Sequence, residues 1–77
     1  MKPKERKAFM ILLSLAAFEA AFPDSQKLSV RWLREDLQHQ ALILLQMLDL
    51  SIRLPENMDV LTHPLGKKAK KIVAVVK

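Results

Sequence analysis

Few residues of this chain have the types and spacing that catalysis or metal binding requires. His39 and His63 are the only histidines, and neither has a second histidine at the spacing of a helical metal site. Glu35 and Asp36 are adjacent, so on a helix they point to different sides and do not form a paired acid and base. Cysteine is absent, and no potential nucleophile has a recognisable base beside it. We therefore predict no enzyme activity, no metal and no cofactor.

Residues that can bind phosphates and bases are more prominent. Gln38 and Gln40 carry the amide donor and acceptor that can bracket an adenine edge, and Arg31 and Arg34 can contact flanking phosphates. A cluster of lysines near the C-terminus would add salt-dependent affinity for a polyanion without reading its sequence. This cluster comprises Lys67, Lys68, Lys70 and Lys71. The alternative interpretation is that all these residues form only solvated helix surfaces and a solvated hinge.

Positive charge is concentrated at the two ends of the chain. Residues 1–7 carry four cations and one carboxylate, and residues 66–77 carry five lysines and no carboxylate. Between them stand four cations and seven carboxylates, and the whole chain has a net charge of +5. Basic ends are suited to a polyanion such as nucleic acid, although they can also serve only to keep an apolar domain in solution.

The length of 77 residues predicts one domain, residues 1–77, with a basic lead over residues 1–7. A chain of this size buries only about 60% of its unfolded surface, and 51% of its residues are hydrophobic. We therefore expect a second subunit to cover part of the apolar surface, as in a homodimer. No disulfide framework supports secretion, so a cytoplasmic protein is the simplest expectation.

The apolar run Ala8–Phe22 predicts the first helix, over residues 4–22, which Pro23 ends. Glu19 interrupts the run, and the run is shorter than the roughly 20 residues of a membrane span, so no integral membrane segment is expected. A helix that is apolar nearly all round is central or shared between subunits. We predict Phe9, Leu13 and Phe18 as its partner contacts.

The densest apolar pattern runs from Leu28 to Leu54. Ser29 can cap a helix in which Val30, Leu33 and Leu37 share a face. After the polar triplet Gln38–Gln40 the spacing resumes with Ala41, Leu44, Leu45 and Leu48. Two interpretations remain open: two short helices hinged at the triplet, or one long helix that runs through it.

Beyond Leu50 the pattern changes to alternation. Residues 51–54 read as a strand, residues 55–57 as a turn and residues 58–62 as a returning strand, which favours a hairpin. Alternatively, Pro55 begins a short helix that ends before Pro64. Thr62 can cap a basic terminal helix over residues 63–77, although its β-branched run, residues 72–76, is also typical of a strand.

This order of elements resembles the winged helix-turn-helix domain of transcription regulators of the broad MarR and PadR kinds. The likeness lies in residues 27–37, in Leu45, Leu48, Leu50 and Ile52, and in the run Leu61-Thr62-His63-Pro64-Leu65-Gly66-Lys67. The resemblance implies a mainly α fold with a small β-hairpin, and a homodimer that binds double-stranded DNA with its third helix in the major groove. Phosphates would be anchored by the terminal lysines and by Arg53 of the hairpin, with limited base readout by Gln38, His39 and Gln40.

A second hypothesis comes from the apolar residues on the outer side of the same stretch. Ile43, Met47 and Leu50 form a second apolar face where a groove-reading helix needs polar side chains, and Trp32 is a further contact candidate. This pattern predicts a protein-interaction or oligomerisation module, built on the same fold or on an all-α helical hairpin or small bundle.

Overall fold

The structure is a computed structural model, and it describes residues 2–24, 29–51 and 53–76. Within these ranges the chain forms three α-helices and one short 3-10 helix. They are α1 (Pro3–Ala21), α2 (Arg31–Leu48), the 3-10 helix (Val60–Thr62) and α3 (Pro64–Val76). The described ranges contain no β-strand, so the predicted winged helix-turn-helix with its hairpin is wrong. The all-α alternative fits.

Helix α1 begins with a proline and ends just before one. Pro3 stands in the first turn, where its missing N–H costs no hydrogen bond. At the other end Phe22 leaves the helical conformation while its N–H still bonds to the Phe18 carbonyl at 2.8 Å, and Pro23 follows. Four small or branched residues on one side of α1 are buried, namely Ala8, Leu12, Leu15 and Ala16.

Helix α2 runs without a break through Gln38, His39 and Gln40. Of the two interpretations left open, the single long helix is therefore correct, and the hinge that the helix-turn-helix requires is wrong. Gln40 donates to Asp36 at 2.8 Å across one helical turn, and neither glycine nor proline interrupts the helix. The buried side continues past the triplet with Ala41 and Leu45.

The start of α2 also differs from the expectation, because Val30 occupies the N-cap position without a side-chain bond and Ser29 does not cap. Leu28 lies outside the described residues.

The connection that follows α2 is held by two glutamine side chains instead of by a second strand. The Gln38 amide donates to the Met58 carbonyl and accepts from the Val60 N–H at 3.2 Å. Gln46 accepts from the Leu54 N–H at 2.5 Å. Backbone groups that a hairpin ladder would use are thus satisfied by the helix. Ile52, assigned to the predicted first strand, lies outside the described residues.

Helix α3 forms despite its β-branched residues, and its cap is His63. The His63 Nδ1 atom accepts from the Leu65 N–H at 3.2 Å, and Pro64 occupies the first helical position. The predicted cap, Thr62, instead donates its hydroxyl to the Asp59 carbonyl at 2.6 Å inside the 3-10 helix.

The core lies where α1 packs against α2, α3 and the 3-10 helix. Val60 and Leu61 of the 3-10 helix are buried, as is Ala69 of α3. Gly66 permits this packing, since a Cβ atom there would lie 2.2 Å from the Val60 carbonyl oxygen and 2.6 Å from the Leu61 Cα. Any side chain at this position would force the backbone of α3 and the 3-10 helix apart.

Candidate polyanion-binding surface

The basic starts of α1 and α3 lie at the same end of the molecule. Lys68 Nζ of α3 stands 5.8 Å from the centre of the Phe9 ring of α1. Further along both helices, Ala16 and Ala20 line one groove of about 360 Å³ together with Val73 and Ala74. The contacts therefore advance in the same direction along the two helices, and their N-terminal turns are neighbours.

These two starts gather cations around one end of the molecule, and we call this group the basic surface. Its members are the exposed N-cap residue of α1 and exposed side chains of the first two turns of each helix, namely Lys2, Lys4, Arg6, Lys7, Lys67, Lys68 and Lys71. Each lies within about two helical turns of the contact between Phe9 and Lys68. Glu5 is the single carboxylate in these segments, and none of the ion pairs among the described residues involves a member of the surface.

Lys70 is set apart from the other lysines of α3. It lines the groove between α1 and α3 together with Glu19, on the side of α3 that faces α1. The Glu19 carboxylate is paired with Arg34, so Lys70 is distinguished by its position in this groove, about 100° around the helix from Lys71. Of the four lysines predicted to bind phosphates, Lys67, Lys68 and Lys71 therefore belong to the basic surface, whereas Lys70 does not.

Four of the five side chains of α2 predicted to meet bases or phosphates are engaged in other bonds. Arg31 donates to Glu35 at 2.8 Å, and this hydrogen bond raises the pKa of Arg31 above its ordinary value. Arg34 donates its Nε to the Glu19 carboxylate of α1 at 2.7 Å, in a pair that is largely buried. Gln38 binds the backbone of the connection, and Gln40 donates to Asp36. The structure thus gives these residues structural roles.

The remaining two predicted DNA contacts, His39 and Arg53, lie at a different place. Both line a groove of about 660 Å³ between the outer side of α2 and the connection. Leucine and isoleucine side chains contribute most of its apolar lining, whereas Gln46 and Glu56 are polar. The structure therefore does not bring His39 and Arg53 together with the lysines.

The predicted partner contacts divide into two groups. Phe9 and Leu13 are half-buried against the core, and Phe18 packs on Phe22 with 5.3 Å between ring centres. By contrast, the four candidates that belong to α2 or follow it directly are exposed: Trp32 by 66%, Ile43 by 47%, Met47 by 47% and Leu50 by 81%.

His63 is a structural cap rather than a ligand. Burial lowers its pKa below the usual histidine value, which favours the neutral ring that can accept the Leu65 N–H. In the part of the chain that the structure describes, no three histidine or acidic side chains cluster in a way that could hold a metal ion.

Sequence reasoning missed several residues that decide this arrangement. The sequence shows Glu19 as an interruption of an apolar run, whereas in the structure it pairs with Arg34. Gln46 had no assigned bond, yet it holds Leu54. For Glu19 the sequence did contain a signal. A lone carboxylate in an apolar helix usually needs a charged partner when it is partly buried.

Comparison of the chain with protein-family models, with curated proteins and with solved structures finds no match. Among the described residues, no helix combines the length and apolarity that crossing a bilayer requires.

Proposed function

We propose that this protein binds double-stranded DNA through its phosphate backbone, without reading the base sequence. The observation that carries the proposal is the meeting of the two basic ends of the chain on one surface. Seven exposed cations on two packed helices face outward there, with Glu5 as the only nearby carboxylate of those turns. A rigid array of this kind suits the regular phosphates of a duplex.

Base readout by the glutamines forms no part of this proposal. The amide of Gln38 has both its donor and its acceptor occupied by the connection, and Gln40 donates to Asp36. Freeing either amide for a base edge would break a bond that the fold uses. Affinity then comes from counterion release, which depends on salt and hardly at all on sequence.

DNA is favoured over a membrane surface because one apolar side of each basic helix is buried in the core of the protein. A helix that lies in a bilayer interface inserts its apolar side among the lipid chains. Here Leu12 and Leu15 of α1 and Ala69 of α3 are fully or almost fully buried in the core. The apolar surface that stays exposed on these two helices comes from side chains such as Met10, Ile72 and Val75, and it is smaller than the buried sides would offer to a membrane.

Fluorescence anisotropy of a labelled random-sequence duplex tests the proposal at two salt concentrations, about 50 and about 200 mM. We expect binding at the lower concentration and a steep loss at the higher one, with a slope of about −0.9 per phosphate neutralised on a double logarithmic plot. The triple variant Lys67→Gln, Lys68→Gln, Lys71→Gln should bind all duplexes more weakly and reduce the slope by about 2 to 3.

Neighbouring lysines of α3 provide a matched control. Lys71→Gln should weaken binding and lower the salt slope by nearly one contact, whereas Lys70→Gln, in the groove between α1 and α3, should change both much less. Absence of duplex binding at low salt, or equal effects of the two single variants, would contradict the proposal. So would co-sedimentation with anionic vesicles by a protein that leaves the duplex unbound.

A further inference from the structure

The groove between α1 and α3 is left open by small side chains. It has a volume of about 360 Å³, and its lining residues span about one turn of each helix. Packed helices usually fill such a space with larger apolar side chains, whereas three of the six residues here are alanines. The lining residues are Ala16, Glu19, Ala20, Lys70, Val73 and Ala74.

The floor of the groove is continuous with the core of the protein. Ala16 is only 5% exposed, and the half-buried Val73 packs against the core. A ligand that covers this floor with hydrocarbon removes apolar surface of both partners from water, which is favourable. Ligand pockets have volumes of about 300–1,000 Å³, and the groove lies near the lower limit of that range, so its ligand is small.

The charged groups at the groove favour an anionic ligand. Glu19 is already paired with Arg34, which approaches the carboxylate with two nitrogen atoms of its guanidinium group. Lys70 takes part in neither of the ion pairs among the described residues. An ammonium ligand would meet Lys70 and would have to displace Arg34 from Glu19. A carboxylate ligand can pair with Lys70 directly.

We propose that this groove binds a free aliphatic carboxylate, a fatty acid of about six to ten carbon atoms. The carboxylate accepts a hydrogen bond from Lys70 Nζ, and the hydrocarbon chain covers the three alanines and Val73. The site lies apart from the basic surface, since Lys70 lines the groove and does not belong to that surface. Binding of the fatty acid therefore does not depend on DNA binding.

Nuclear magnetic resonance of the intact ¹⁵N-labelled protein, titrated with octanoate, tests this site. The backbone amides of residues 16–20 and 70–74 should shift along one saturable curve. Octanoate has only about ten non-hydrogen atoms, so we expect a Kd of about 0.1–1 mM. Octanol has the same hydrocarbon chain without the charge, and its Kd should be about two- to fivefold higher.

The neighbouring lysines of α3 provide a matched pair of variants. Lys70→Gln should raise the Kd of octanoate about two- to fivefold, to the value for octanol, because the pairing cation is lost. Lys71→Gln, about 100° around the helix, should leave that Kd unchanged. Duplex binding should show the opposite order, with the larger effect from Lys71→Gln. Failure of the fatty-acid site and failure of DNA binding are therefore distinguishable.

Ala74→Leu tests the hydrocarbon part of the site. Ala74 is exposed and lines the groove, so a leucine side chain there occupies the groove without entering the core. Leucine is also a good helix former. We expect the Kd of octanoate to rise by at least about tenfold, because the added side chain takes the space of the ligand. Val75→Leu, at a residue that is 85% exposed and does not line the groove, is the control and should leave the Kd unchanged.

Far-ultraviolet circular dichroism should show that each variant retains its helices. Three results would overturn the inference. The first is the absence of shifts in residues 16–20 and 70–74 at several millimolar octanoate. The second is an equal effect of Lys70→Gln and Lys71→Gln, or an equal Kd for octanoate and octanol, because either would remove the specific role of Lys70. The third is octanoate binding that Ala74→Leu leaves intact.

Discussion

At the scale of single residues, the polar partners decide what a side chain can do. Arg34 and Gln38 are residue types that bind phosphates and bases, and the sequence alone predicts them as DNA contacts. In the folded chain their polar atoms hold Glu19 and the backbone at Met58 and Val60. Those partners lie 15 to 22 residues away, so the local pattern contained no sign of them. Composition and local spacing therefore do not predict such long-range hydrogen bonds.

Gly66 gives a second prediction at the residue scale, for the stability of the fold. Gly66→Ala should lower the free energy of unfolding by about 1 to 3 kcal/mol, because the added methyl group meets backbone atoms that cannot turn aside. The better helix propensity of alanine, worth up to about 1 kcal/mol, opposes this loss without cancelling it. Urea unfolding followed by circular dichroism measures the difference.

Lys67→Ala serves as the control for Gly66→Ala, since the neighbouring side chain is exposed on the same turn. It should change the free energy of unfolding by less than about 0.5 kcal/mol. If Gly66→Ala were neutral or stabilising, the close approach of α3 to the 3-10 helix would be wrong.

At the scale of elements, the sequence held the signal for a continuous α2, in the unbroken spacing of Leu37, Ala41, Leu45 and Leu48. The polar triplet suggested a hinge because it interrupts the hydrophobic run, yet it occupies only the solvent side and the flank of the helix. The hairpin rested on a few alternating residues. The hairpin does not form, because Gln38 and Gln46 make the backbone hydrogen bonds that a second strand would have made. Short alternating runs cannot reveal such competition from side chains.

An unbroken α2 predicts that glycine is costly at Gln40. Gln40→Gly should lower the free energy of unfolding by about 1 kcal/mol, because glycine has a poor helix propensity and the bond to Asp36 is lost. A glycine in a solvated hinge would instead be neutral or nearly so. Asn57→Gly, in the turn of the connection, is the matched control and should cost less than about 0.5 kcal/mol. Equal costs at the two positions would argue against the continuous helix.

At the scale of the whole molecule, the charge of the two ends was visible in the sequence but their meeting was not. Basic segments at residues 2–7 and 67–71 become neighbours only because α1 and α3 pack in the same direction around a shared core. Gly66 permits the close approach of α3 to the 3-10 helix, and no local pattern in the sequence indicates that approach. The carboxylates, meanwhile, are mostly carried by α2 and the connection, which leaves one surface strongly cationic.

Nuclear magnetic resonance of the ¹⁵N-labelled protein, titrated with a short random-sequence duplex, tests this account most directly. The backbone amides of residues 4–9 and 65–72 should shift together along one binding curve, and 200 mM salt should suppress both sets of shifts. Amides around Gln38, His39 and Gln40 should change little. Shifts centred on that triplet, or shifts in only one of the two basic segments, would contradict the claim that both ends form a single DNA-binding surface.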